Sequence, residues 1–411
     1  MRLLILTQYY PPEIGAPQNR LHELAVRLKS QGIHLEVLTA LPNYPKMEIM
    51  QGYENRKNRE EVIDGIPIHR SWIHVSKSKG IISRLLNYFS FVWSSYWRGR
   101  KLNSFDYLMV ESPPLFLGYS AMALSKKLNA KLIFNVSDLW PESAEKLGIV
   151  TNKHLLKLAY NLEKKCYNKA HLITGQTKGI VDDIKNRLPQ KNVYWLPNGV
   201  DTKFYNPEQI SASTFREKHN FKDNDLLFFY GGILGHAQGL EVILKAASLL
   251  SEKKNIQFII QGTGPEKDKL LEMSAALKLK NVHFLNPVPK SEMPSVLKAI
   301  DVALVPLKKL DLFHGAIPSK VFEALAMKKP LLLGVDGEAR KHFIEKGQAG
   351  MFFEPENEKE LAYCALFLSK NPEELHRMSE NARNYVSENF DRNKITIDFL
   401  RELNSIDQNN P

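Results

Sequence analysis

Four glycines, at 231, 232, 235 and 239, punctuate the stretch Tyr230-Gly-Gly-Ile-Leu-Gly-His-Ala-Gln-Gly-Leu240. The apolar run Leu226 to Tyr230 before them reads as a buried strand, and an apolar-periodic helix follows. A strand, a glycine-rich turn and a helix in this order bring backbone amides, here those of Gly232 to Gly235, close to an anion such as a phosphate. Yet the position where a phosphate site usually carries Lys or Arg is Gln238, and the loop's one candidate cation is His236. Three more turns follow strands in the same half. Gln261-Gly262-Thr-Gly-Pro265 follows 257–260, Asn286-Pro-Val288-Pro-Lys290 follows 282–285, and a longer loop after 302–305 ends in Phe313-His-Gly-Ala-Ile-Pro-Ser-Lys-Val-Phe-Glu323. Pro318 suits a first helical turn, the amides of Ser319 and Lys320 point outward from it, and Lys320 supplies the missing charge. Glu323 lies one turn deeper among Val321, Phe322, Leu325 and Ala326, where a carboxylate needs a partner. The chemistry is neutralisation of a phosphate or similar anion by amides and one ammonium. Outside such a site, a lysine in a first helical turn is an ordinary solvated residue.

The first half offers carboxylates. Asp138 follows the strand 132–136 in Ser-Asp-Leu-Trp-Pro-Glu-Ser, and Glu111 follows 107–110, both at the carboxyl end of a sheet, where ligands of open α/β sheets bind. Asp138 has two readings: it orients or deprotonates an acceptor hydroxyl, or it caps the helix after its strand. Gly15, in the first strand-to-helix loop, lets backbone approach a phosphate or sugar.

Two domains must position these groups, since 411 residues exceed one ordinary core. Strand and helix patterns alternate from Leu3 onward, which argues an α/β fold of doubly wound, parallel sheets covered on both faces. The pattern breaks at Pro197-Asn-Gly-Val-Asp201, dividing the chain into 1–197, 198–385 and a terminal helical segment 386–411. Apolar content of 43% with 25% charged residues is globular usage. Two distant cysteines, Cys166 and Cys364, support neither a disulfide framework nor a thiolate metal site. A short apolar start without a cleavage site reads as a strand, which makes the expected location cytoplasmic. The net charge of +11 asks for an anionic partner, and no nucleic-acid-binding motif is present, so nucleic acid is not expected. No Asp-x-Asp pair follows a strand and no His-Glu-x-x-His occurs, so neither a metal nor an organic cofactor is expected.

Taken in order, the glycine-rich turn at 231–239, Gly262-Thr-Gly-Pro265, Phe284 to Val288, Asp301 to Pro306 and Phe322-Glu-Ala-Leu-Ala-Met327 resemble the retaining GT-B glycosyltransferases of family four. Pro11-Pro-Glu-Ile-Gly15 with the helix after it, and Leu196-Pro-Asn-Gly-Val-Asp201, extend the resemblance over nearly the whole chain. It implies two Rossmann-like domains facing a cleft, 1–197 binding the acceptor and 198–385 the nucleotide sugar, with the terminal helix crossing back to the first domain. It also implies that Glu323 accepts from the ribose hydroxyls, that backbone at Val288 meets uracil, and that Gly232, Gly235, Gln238, Gly262, Ser319 and Lys320 surround the donor. Acceptor contacts fall to Glu111 and Asp138. Two departures stand out: the family's sugar-contacting glutamate is Gly315 here, and its loop lysine is Gln238. Both are shared with the WbuB-like N-acetyl-aminosugar transferases of O-antigen and capsule assembly. That likeness implies a UDP-linked N-acetylated hexosamine, 6-deoxy forms included, moved to an undecaprenyl-diphosphate-linked saccharide. Three rivals remain: a GT-B epimerase of the same donor, an exported two-domain sugar-binding protein, and a nucleotide sensor.

Residues 76–101 differ in kind. Ile82, Leu85, Leu86, Phe89, Trp93, Tyr96 and Trp97 keep helical spacing, flanked by Lys77, Lys79, Arg84, Arg98, Arg100 and Lys101. The segment is too polar to span a bilayer, and it reads either as an interfacial helix on an anionic membrane or as a helix packed on the first sheet.

Overall fold

The computed structural model describes residues 1–54, 58–76, 80–146, 148, 150–211 and 214–409. Lys77, Lys79 and the side chain of Ile82 lie outside the described residues. The chain divides into two compact units, Met1–Asn198 with Ile395–Pro411, and Gly199–Lys394.

Unit 1 is built on eight strands: β1 Arg2–Leu6, β2 His34–Ala40, β3 Asn58–Ile63, β4 Ile66–Ser71, β5 Tyr107–Ser112, β6 Lys131–Val136, β7 Leu172–Gly175 and β8 Val193–Trp195. They lie in the order β3-β4-β2-β1-β5-β6-β7-β8. All neighbours run parallel except β3, which pairs antiparallel with β4. Sequence reading passes over this hairpin, although its signal is present. Asp64 and Gly65 form the two-residue turn with φ of 51° and 73°, the conformation for which Asp-Gly is favoured. Leu3 to Leu6 are fully buried because helices cover both faces of the sheet. On one face α1 (Ala16–Ser30) and α15 (Arg392–Asn409) share a core with Leu3, Ile5 and Val37. Phe399 and Leu403 dock α15 there, and the Tyr107 hydroxyl donates to Asp407 at 2.5 Å. On the other face α2 (Ile81–Gly99), α3 (Leu117–Leu128), α5 (Lys153–Lys169) and α6 (Lys178–Arg187) pack on Leu4, Leu6, Leu38 and Leu108. The short α4 (Glu142–Lys146) sits in the connection after β6.

Unit 2 has six parallel strands, β9 Leu226–Gly231, β10 Ile256–Gln261, β11 Val282–Leu285, β12 Val302–Pro306, β13 Leu331–Gly334 and β14 Gly350–Phe352, ordered β11-β10-β9-β12-β13-β14. Its helices are α7 Phe215–Lys218, α8 Glu241–Leu249, α9 Lys267–Ala276, α10 Met293–Ala299, α11 Lys320–Ala326, α12 Glu338–Arg340, α13 Glu358–Lys370 and α14 Pro372–Phe390. Both units are α/β and doubly wound. In each, strand order reverses between two neighbours, β1 and β5 in unit 1, β9 and β12 in unit 2, so the loops leaving those strands diverge and open a crevice.

At the unit 1 reversal Glu111 is engaged within the fold by three donors, which bears on its sequence assignment as an acceptor contact. Its side chain is 3% exposed, and Oε1 accepts from Arg20 at 2.6 Å and from the Ser137 hydroxyl. Oε2 accepts from the Asn135 amide, whose oxygen in turn accepts from Thr174 at 2.6 Å. Buried and with both oxygens engaged, Glu111 ties β5, β6, β7 and α1 together and is placed as scaffold rather than as a sugar contact. Glu111→Ala leaves the Arg20 guanidinium buried without its counter-charge, a change expected to cost about 3 to 5 kcal/mol. Urea unfolding of the variant checks this, and a midpoint equal to that of the parent chain would show that the network is not structural.

Candidate functional site

In unit 2 the loops after β9 and β12 flank the reversal point, and both are the loops the sequence singles out. The glycine-rich loop is moored to the next turn by backbone. Gly232 N donates to Gln261 O at 3.0 Å and Leu234 N to Thr263 O at 2.9 Å. A Cβ on Gly262 would lie 1.9 Å from Gly232 O, so glycine there is a condition of the two turns touching. This corrects the expectation that the run of amides from Gly232 to Gly235 faces a phosphate, because those of Gly232 and Leu234 are spent on the neighbouring turn. Gly232 has another task. With φ of +143°, its missing Cβ would sit 3.0 Å from the Lys320 ammonium, so glycine keeps that place open. Gly235 leads into the short 3₁₀ turn 236–238 and accepts at its carbonyl from Gln238 N at 3.1 Å.

Lys320 opens α11, with Ser319 at its N-cap. Its ammonium lies 3.7 Å from the centroid of the Tyr230 ring, over the face, a cation–π contact strengthened by loss of water. Tyr230 also donates its hydroxyl to Ile233 O at 2.6 Å, holding the glycine loop from beneath. Burial pushes the Lys320 ammonium down to about 7, with Glu323 acting weakly the other way. Glu323 itself is held above the ordinary carboxylate value by burial, offset in part by Lys290, Tyr205, Arg392 and Lys320. Between β9, β12, α10 and α11 the two side chains border a cavity of about 40 Å³, closed by Phe229, Met293, Leu297 and Val305. The site therefore holds a cation and a carboxylate one helical turn apart, in surroundings that raise the strength of any charge pairing. Val288, half-buried, lies in the loop after β11, on the far side of Gly262 N, which donates to Leu285 O at 3.1 Å.

Two groups here escape sequence reading. Tyr230 looks like one more aromatic at the end of a buried strand, and Lys308, in the long loop after β12, reads as surface. Lys308 N donates to Ala237 O at 3.0 Å, and its ammonium lies 2.7 Å from His236 Nε2. A second cation thus stands at the loop that carries Gln238.

In unit 1, Gly15 is the N-cap of α1 in extended backbone, and Asn19 N donates to its carbonyl at 3.0 Å. The buried Glu13 beside it accepts from Asn43 N at 2.7 Å, Tyr44 N at 2.9 Å and Tyr10 N at 3.1 Å, fixing the loops after β1 and β2 to each other. Burial raises the Glu13 carboxyl despite these donors. Asp138 is exposed and accepts from the Ser143 hydroxyl at 2.8 Å, which leaves part of its carboxylate facing water. From it an aromatic file leads away: Trp140 to Phe116 at 5.5 Å between centroids, Phe116 to Phe89 of α2 at 4.9 Å.

On α2 the aromatic stripe points out. Trp93 is 62% exposed, with Leu86, Phe89 and Trp97 exposed along the same face, while Asn87, Phe91, Ser94 and Ser95 are buried. Arg84 and Arg100 are exposed, but Arg98 pairs with Glu60 of β3, so it is not a free cation. No helix among the described residues is long and apolar enough to cross a membrane, and no three His, Cys, Asp or Glu side chains among them gather as a metal site.

Comparison with known proteins bears on this geometry. The family model "Glycosyl transferase 4-like domain" matches residues 15–199, and "Glycosyl transferases group 1" matches 211–385. WcaI of Escherichia coli K12, named as a colanic acid biosynthesis glycosyl transferase, is 24% identical over 98% of this chain and 100% of its own. Among solved structures, sucrose-phosphate synthase of Thermosynechococcus elongatus superposes with a TM-score of 0.76 at 14% identity, covering 99% of both chains. Anabaena HepE, in complex with UDP and glucose, does so at 0.72 and 17%, covering 98% of this chain and 100% of that one. With both units matched in order and a fold shared end to end, the chain is a glycosyltransferase of group 1, with the GT-B fold.

Proposed function

We propose that the chain is a retaining, metal-independent transferase. It moves an N-acetylated hexosamine, 6-deoxy forms included, from UDP to an undecaprenyl-diphosphate-linked saccharide in bacterial surface-polysaccharide assembly, on the inner face of the plasma membrane. The observation that carries the donor half is the Lys320 ammonium, desolvated above Tyr230 beside the glycine loop, with Glu323 a turn away. The UDP complexes of HepE support a uridine nucleotide, and WcaI supports polysaccharide assembly. Resemblance to the aminosugar transferases, through Gln238 and Gly315, supports the sugar.

In this reading Glu323 accepts from the two ribose hydroxyls, backbone at Val288 meets uracil, and the first-turn amides of Ser319 and Lys320, which a helix leaves without internal partners, meet the diphosphate. Gly15, Gly232, Gly235, Gln238 and Gly262 line the approach of the donor. As the bond from the anomeric carbon to the β-phosphate oxygen breaks, its electron pair stays on that oxygen, and Lys320 stabilises the charge that develops. The acceptor hydroxyl attacks from the same face and passes its proton to the departing phosphate. Asp138 orients that hydroxyl; Glu111 serves only as scaffold.

Lys320→Met is expected to lower turnover by about 10² or more. It also removes a pH dependence. The anion favours the protonated amine, so UDP affinity of the parent chain falls as pH rises through about 7, where Lys320 loses its proton. Calorimetric titration with UDP between pH 6 and pH 9, as roughly bracketing values, reads this, and parallel profiles for parent and variant would remove Lys320 from the site.

Glu323→Ala is expected to weaken UDP binding by about 10- to 100-fold, the range for hydrogen bonds to a charged group, while affinity for inorganic diphosphate holds. Equal losses for both ligands would deny it the ribose. A panel of UDP-sugars with membrane extract, scored by UDP release, tests the reaction as a whole. Donor consumed without an acceptor would mean epimerisation instead.

A further inference from the structure

The helices over one face of the unit 1 sheet lie side by side: α2 packs on β2 and β4, α3 on β5 and β6, α5 on β6, and α3 touches both of the others. The packing is tight. A Cβ on Gly118 of α3 would lie 2.3 Å from Cys166 Sγ of α5. The outer surfaces of these three helices share a chemistry that the membrane reading of α2 does not require. Neither α2 nor α3 contains an Asp or Glu, and the single acid of α5, Glu163, is buried and paired with Arg187 at 2.9 Å. On α5, Lys153, Lys157, Lys164 and Lys165 are exposed; on α3, Lys126 and Lys127 are.

Large apolar side chains stand among these cations. Leu158 of α5 is 65% exposed, with Leu155 and, on α3, Tyr119 also exposed. Acids return at the margins. Glu60 pairs with Arg98 on the α2 side, α6 carries Asp182 and Asp183, and on α4 Glu142 pairs with Lys146 while Glu145 accepts from Tyr160. Cations without carboxylates repel one another and persist where an anionic surface neutralises them. Exposed leucine, phenylalanine and tryptophan between them select a surface with hydrocarbon beneath the charge, which a nucleic acid lacks.

We infer that α2, α3 and α5 form one docking face for an anionic bilayer, α2 seating its aromatics below the headgroups while the α5 lysines hold lipid phosphates. The inference rests on the membrane location proposed above and assigns that contact to three helices.

The test is flotation of the full chain with phosphatidylcholine vesicles, with and without phosphatidylglycerol, for the parent, the triple variant Lys157→Gln/Lys164→Gln/Lys165→Gln, and Trp93→Asp. The parent is expected to float with anionic vesicles only. The triple variant loses about 100-fold in affinity, taking roughly fivefold for each lysine near the surface, and its thermal midpoint and UDP affinity are unchanged. Parent-like flotation of the triple variant overturns the three-helix face; if Trp93→Asp alone is lost, α2 remains a membrane helix by itself. A parent that never floats, or floats equally with neutral vesicles, overturns the inference, and the first of these removes the membrane reading too.

Discussion

The second unit is organised around one ammonium held out of water. Lys320 sits over the Tyr230 face, opposite a glycine that yields it space, with Glu323 too weakly coupled to restore an ordinary pKa. An amine treated in this way destabilises the empty fold. The unfolded chain binds its proton below the usual lysine value and the folded chain only below about 7, so between these limits stability rises with pH. In the function proposed above, a bound diphosphate would remove that penalty by restoring the charge. The penalty resides in the site, and the core of the six-stranded parallel sheet beneath it supplies the stability that offsets it.

The glycines follow from the same constraint. Gly232 clears room for the ammonium, and Gly262 lets the second turn touch the first, so the two turns fix each other through Gly232 N and Leu234 N. A phosphate loop in which every amide faced the ligand would have nothing to hold it still. Here two of the four amides from Gly232 to Gly235 anchor the loop, and the nearby cation is a side chain from another strand connection, Lys320.

Sequence reading recovers what is local or periodic. The alternation of strands and helices, the doubly wound α/β class and the Pro-Ser-Lys corner are all visible in spacing, because each depends on residues within one or two turns of each other. What it misses depends on distant partners. Glu111 looks like a ligand-binding carboxylate at a strand end, and its saturation by Arg20, 91 residues away, has no sequence signal. The spending of Gly232 N on Gln261 O is likewise a tertiary fact. The β3–β4 hairpin is a different kind of miss, since Asp64-Gly65 announces it and only the expectation of an all-parallel sheet hides it.

Helix α2 shows why periodicity alone cannot say which face of a helix is the core. It has two faces with helical spacing, and the more apolar one points to water. Its inner face succeeds because each polar group there finds a partner: Asn87 accepts from Gln8 at 2.9 Å and donates to His74 O at 2.7 Å, while Ser95 meets Ser120 of α3 at 2.9 Å. Burial of satisfied polar groups is nearly neutral, so it does not force the aromatics inward. Among the described side chains of α2, Phe91 is the large one that is fully buried, with Gly99 packed against Leu124 and Leu38. Inverting the helix would bury Trp93 and Trp97 at the expense of every one of those hydrogen bonds and would place bulk where α3 needs serine. The outward aromatic stripe is therefore imposed by the polar interface behind it.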